Sequence, residues 1–234
     1  KNNSNKREKI NGILFRYLIT NNSLTTDNLS LLLETISKIH DCSIVKKQSV
    51  NNILLFLQNN NIYANYSKKI KNRFYNYDYN QLSTNSSIIF NEIISKLDKY
   101  ENNKKGSVSV IHGDLVFSNI FLCENRSIKL IDMRGKIGDV ETIYGDIFYD
   151  YAKIYQSLCG YDFILNDREL NFSYIEDLKS YFKKFFKIRF GDDMFNYLKY
   201  NTAGLLFSLI PLHNDKNKQI KYFNLIESVI NDNI

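Results

Sequence analysis

The chain has 234 residues, 44% of them apolar, including 17 Tyr and 16 Phe; this is enough for a packed core and excludes a disordered tail. Its net charge of +6, with an isoelectric point near 9.0, is scattered along the chain and not gathered in one block. Cys42, Cys123 and Cys159 stand far apart with no CxxC pair, which excludes a disulfide framework or a cysteine zinc site and points to a reducing, cytoplasmic setting. No apolar run is long enough to cross a bilayer, and the polar, basic opening KNNSNKREKI has no apolar stretch behind it, so neither a membrane span nor a signal peptide is expected.

The first apolar segment, GILFRYLIT (12–20), is β-leaning and predicts a strand or an extended connector. A helix follows: Thr25 or Thr26 can cap it, and Leu29, Leu32, Leu33, Ile36 and Ile39 recur at helical spacing. Three more helices are predicted at about 49–59, 62–76 and 86–101, and NNKKG (102–106) ends this helical block. Within it, SKKIKNRFYNYDYNQ (67–81) is the densest basic stretch. It reads as a solvated helix with an aromatic stripe toward the core, and nucleic acid is not the expected partner.

The texture then changes. SVSVIHG is a short β-branched run, and NIFLCENRSIKLID predicts two strands around a polar turn. If Asn125-Arg126 is a two-residue turn, Asn119 and Asp132 lie equally far from it and face each other across the hairpin, on one side of the sheet. An amide oxygen and a carboxylate are hard ligands of the kind Mg²⁺ accepts beside phosphate oxygens and water. Asp114 enters the same end on the preceding loop, where a carboxylate beside a divalent cation can take the proton of a hydroxyl attacking phosphorus. Gly113 permits a backbone conformation or close approach that a side chain would block, and His112 reads as an imidazole that holds the loop. A glycine-containing loop, MRGKIGDVETIYGD, follows, and from about 147 to the end the pattern is helical again. The predicted architecture is mainly α with one small central β-hairpin that carries the unusual residues.

H-G-D-x-x-x-x-N (112–119), followed by apolar-apolar-Asp (130–132) on the return strand, resembles the catalytic core of the aminoglycoside phosphotransferase and choline kinase superfamily, which has the protein-kinase-like fold. The resemblance implies Asp114 as catalytic base, Asn119 and Asp132 as ligands of Mg²⁺, and ATP or GTP as phosphoryl donor, with Met133-Arg134 replacing the last two residues of the D-F-G triplet. LLLETISKIHD, ending in Ile39-His40, resembles the first helix of the large lobe. YGDIFYDYAKIYQSL resembles the segment after the metal-binding strand, in which Asp146 or Asp150 would brace the catalytic loop; either can equally cap the helix. IDMRG, IYGD, YDYAK and IPLHND together are most similar to the branch associated with bacterial capsule and surface-polysaccharide gene clusters. Arg134 is read as neutralising a phosphate or substrate acid or as pairing with a nearby carboxylate, the ion pair being favoured. His213, beside Pro211, reads as a loop residue. Tyr144, Tyr149, Tyr155 and Tyr161 read first as core, and second as aromatic faces for a quaternary ammonium or a sugar ring.

Only Gly12 and Gly106 precede His112, and no G-x-G-x-x-G occurs. By the resemblance, the small nucleotide-binding N-terminal lobe is then largely absent from this chain. Residues 1–20 would be its connector, and 21–234 the kinase-like large lobe, with the catalytic loop at 110–119, the metal-binding hairpin at 118–133 and C-terminal helices over 147–234. The implied function is transfer of the γ-phosphoryl group of a nucleoside triphosphate to a hydroxyl of a small molecule. The acceptor would be a sugar, an amino alcohol such as choline or ethanolamine, or a surface-glycan precursor, and the upstream lobe or domain would be a partner. The alternative is a catalytically inactive kinase-like lobe that binds a ligand or a partner.

Overall fold

The apolar spacing that predicts the helix after Thr25 is satisfied in full: Leu29, Leu32, Leu33 and Ile36 are all buried on one face. Thr25 is its cap, the hydroxyl accepting from Asn28 N at 3.2 Å. The computed structural model describes residues 9–45 and 61–231, and the helix expected at 49–59 lies outside them. The helices are α1 (Phe15–Thr20), α2 (Thr26–Val45), α3 (Ser67–Tyr75), α4 (Ser86–Asn102), α5 (Ile147–Leu158), α6 (Tyr161–Leu165), α7 (Phe172–Phe190), α8 (Asp192–Leu209) and α9 (Lys216–Asn231). The strands are β1 (Gly12–Leu14), β2 (Val108–Val110), β3 (Ile120–Cys123), β4 (Ile128–Leu130), β5 (Lys136–Ile137), β6 (Val140–Glu141) and β7 (Tyr144–Asp146). The described residues are thus mainly helical with small antiparallel sheets.

Helix α8 is the axis of the helical part. It packs against α3, α4, α5, α7 and α9, and most of its second half is buried. Gly204 makes one of these approaches possible, because a Cβ there would lie 2.5 Å from Ile70 Cδ1 of α3. Aromatic rings fill the contacts: Phe74 stacks on Phe90 with centroids 3.8 Å apart, and Tyr79 stacks on Phe207 at 4.1 Å. Phe74 and Tyr79 belong to the basic 67–81 stretch, so at least these two aromatics serve the core.

The structure differs from the expected one in four places. Residues 12–20 divide into a three-residue strand and a helix, since only Gly12–Leu14 find a partner in β3, while Phe15 and Ile19, one helical turn apart, are both buried. The helix expected from 62 starts at Ser67, where Glu101 of α4 accepts from the Ser67 N–H at 2.9 Å. The β structure is more than one hairpin: β1 adds to β3–β4, β2 pairs with β7, and β5 pairs with β6. The hairpin register, finally, is shifted by one residue. Phe121 pairs with Lys129 and Leu122 with Ile128, around a three-residue loop of Glu124, Asn125 and Arg126. Arg126 takes a left-handed conformation (φ 55°), and the Asn125 side chain accepts from Ser127 N and Oγ, which closes the loop without glycine.

Candidate active site

The shifted register removes the facing of Asn119 and Asp132. Asn119 instead neighbours Ile131, whose N–H donates to the Asn119 carbonyl at 3.0 Å. Asp132 comes one residue later, exposed and with a left-handed backbone (φ 56°) that ends the strand. His112 nevertheless fastens the segment around Asp132 to the loop that carries Asp114. Its Nε2 donates to the Ile131 carbonyl at 2.8 Å, and its own carbonyl accepts from Arg134 N at 2.9 Å. With Nε2 protonated, Nδ1 is left to accept from Asp114 N at 3.3 Å. His112 thus holds the segment on both sides of Asp132, through its imidazole before it and its backbone carbonyl after it.

Asp114 and Asn119 meet directly. The Asn119 amide donates to the Asp114 carbonyl at 2.9 Å and to Asp114 Oδ2 at 3.3 Å. This fixes the amide so that its Oδ1 turns away, its one hydrogen bond among the described residues coming from Ser118 Oγ at the long distance of 3.5 Å. The other oxygen of Asp114, Oδ1, lies 3.1 Å from Lys153 Nζ on α5. Asp132 has no hydrogen bond or ion pair to any described residue. An amide oxygen and a carboxylate that internal partners leave available are a donor set that suits Mg²⁺ beside phosphate oxygens. Among the described residues no group of three or more His, Cys, Asp or Glu forms a metal cage.

The two acids of the YGDIFYD segment divide the two roles between them. Asp150, 1% exposed, accepts from His112 N at 2.9 Å and Gly113 N at 2.7 Å, and from His40 Nε2 at 3.1 Å. It therefore holds the loop. Asp146 caps α5 by accepting from Phe148 N at 3.2 Å, and it also accepts from Tyr66, Tyr100 and Ser107 N. Burial pushes its carboxyl above the usual range, although the Tyr100 and Tyr66 hydroxyls work the other way. Gly113 sits at φ 79°, and a Cβ on it would meet Arg134 Cβ at 3.0 Å.

Arg134 forms no ion pair with any described carboxylate, contrary to the favoured reading; its Nη1 donates to the Tyr149 hydroxyl at 3.0 Å. Burial alone would push that hydroxyl up, but the charges of Lys69, Lys153 and Arg134 outweigh it and bring the Tyr149 pKa below its ordinary value. Tyr149 works to raise the pKa of Lys69, yet burial and the cations Lys153, Arg134 and Arg73 leave it lowered. Lys153 and Lys69 adjoin the candidate site and lie outside the motif. Lys153 was within reach of sequence reasoning, since it lies one helical turn after Tyr149 and Asp150 and so shares their face of α5. Lys69 carried no such signal. Tyr155 is buried against Phe182, and His213 packs on Tyr222 after the turn at Pro211. Comparison with known protein families, curated proteins and solved structures finds no match for this chain.

Proposed function

We propose that the chain is the large lobe of a small-molecule kinase similar to the aminoglycoside phosphotransferases and choline kinases, acting on a hydroxyl acceptor with ATP or GTP as donor. The observation that supports it most is the convergence on one loop: Asp114 touches Asn119, and His112 fastens the backbone on either side of Asp132 to the same loop. In the proposed reaction the acceptor oxygen bonds to the γ-phosphorus while the bond from that phosphorus to the bridging β–γ oxygen breaks. The nucleoside diphosphate leaves with the electron pair, and the hydroxyl proton passes to Asp114. Asn119 and Asp132 would hold Mg²⁺, whose charge neutralises the phosphates when it is bound. Lys153 orients the Asp114 carboxylate through Oδ1, and Asp150 fixes the backbone that presents it.

The test is calorimetric titration of Mg·ATP into the full-length protein and its Asp132→Asn variant. The variant is expected to lose about tenfold or more in Mg²⁺-dependent nucleotide affinity. Equal affinity of the two proteins for Mg·ATP removes Asp132 from the metal site and the proposal with it.

A further inference from the structure

The cations around Tyr149 exceed what the reaction centre needs. Lys69 and Arg73 come from α3, Arg134 from the loop after β4, and Lys153 from α5; Arg134 bonds the Tyr149 hydroxyl, and the charges of Lys153, Arg134 and Arg73 all bear on Lys69. The carboxylate of Asp114 pairs with Lys153. No described carboxylate pairs with Lys69 or Arg134, both of which are partly buried. Uncompensated like charges held together at a half-buried surface are costly unless an anion joins them. A second, independent feature points the same way. The hydroxyl of Tyr149, a buried residue, accepts from Arg134 but has no acceptor for its own proton among the described residues. A buried donor thus faces a ring of cations.

The position of this group relative to the proposed chemistry is also defined. Asp114 turns Oδ2 to the amide nitrogen of Asn119 and Oδ1 to Lys153, the cationic side. The cluster therefore adjoins the proposed base at Oδ1, through Lys153.

We infer that the acceptor carries, besides its reacting hydroxyl, a phosphate monoester that is seated among Lys69, Arg134, Lys153 and the Tyr149 hydroxyl. This rests on the proposed phosphotransfer. A dianion with several acceptor oxygens matches two cations without carboxylate partners, a third shared with Asp114, and a phenol donor; a guanidinium and ammonium groups are suited to phosphate oxygens. The group takes no part in bond making. It holds the acceptor so that the hydroxyl lies against Asp114.

The test uses orthophosphate and acetate as probes, titrated calorimetrically into the full-length protein without Mg²⁺ or nucleotide, so that it does not depend on phosphotransfer. Orthophosphate is expected to bind saturably and at least about tenfold more tightly than acetate. Lys69→Met and Arg134→Gln are expected to weaken it about tenfold each, Lys69→Arg to retain most of it, and all three to melt near the wild type. Mg·ADP affinity is expected to be unchanged in Lys69→Met. The inference is overturned by acetate binding as tightly as phosphate, by phosphate binding unaltered in Lys69→Met, or by parallel loss of Mg·ADP, which would assign the cluster to the nucleotide. Failure of transfer with phosphate binding intact would strike the kinase proposal and leave the anion site standing.

Discussion

Replacing Asp150 by alanine isolates the contribution of one carboxylate to the loop that carries Asp114. In the wild type it accepts three hydrogen bonds, at 2.7 Å from Gly113 N, 2.9 Å from His112 N and 3.1 Å from His40 Nε2, and it is 1% exposed. Alanine leaves these donors facing a small buried void. A buried donor without a partner costs about 1–3 kcal/mol, and breaking a buried charged contact from one side costs about 3–5 kcal/mol in all. We take about 3–5 kcal/mol as the expected loss, a large share of the roughly 5–15 kcal/mol that holds a domain folded. For a chain of this size that corresponds to a melting temperature lower by about 6–20 °C. Asp150→Asn keeps the volume and one acceptor oxygen and is expected to lose about half as much. Guanidinium unfolding followed by circular dichroism reads both variants. Asp150→Ala within about 1 kcal/mol of wild type, the scale of an ordinary surface change, refutes the claim that this side chain anchors the loop.

Asp162 is buried, and burial pushes its carboxyl up to about 7 against the opposing effects of Ser157 and Arg16. The native state keeps a proton that the unfolded chain releases near pH 4, so stability is full below that pH, falls by about 4 kcal/mol as pH rises to about 7, and then levels. Asp162→Asn is expected to flatten this profile between pH 4 and 8; denaturation midpoints that fall equally in both proteins contradict it. Arg126 holds a left-handed conformation in the hairpin loop, so Arg126→Gly is expected to raise stability by about 0.5–1 kcal/mol; a loss would contradict the three-residue loop. Lys153→Met removes the ion pair to Asp114 Oδ1 and is expected to lower kcat about tenfold while shifting stability by under about 1 kcal/mol. An unchanged kcat would show that Lys153 does not position the base.

The helices were legible where apolar spacing was long and regular, as in the Leu29 to Ile36 face, because burial of that face is what stabilises a helix. The grouping of His112, Asp114, Asn119 and Asp132 was legible as a motif, and its geometry was not. A two-residue turn and a three-residue loop share the polar letters Glu124–Ser127, and the left-handed position is held by Arg126 without the glycine that would have marked it. The long-range pairing of β1 with β3 and the two-residue strands β5 and β6 leave little local signal. Asp146 and Asp150 could not be told apart from sequence, since both begin the same helix. Tyr66 and Tyr100, which hold Asp146, arrive from 80 and 46 residues away. The favoured ion pair of Arg134 failed for a similar reason: its partner is the hydroxyl of Tyr149, brought in by the packing of α5.

The central proposal is that Asp114 takes the acceptor's proton. Its most direct test is transfer of γ-labelled phosphate from Mg·ATP to a low-molecular-weight cell extract by the full-length protein and by Asp114→Asn, both at saturating nucleotide. Wild type is expected to label a small molecule, and Asp114→Asn to do so at least about 100-fold more slowly while still binding Mg·ATP. Labelling by Asp114→Asn within about threefold of wild type, a difference of under 1 kcal/mol in the barrier, would contradict the assignment.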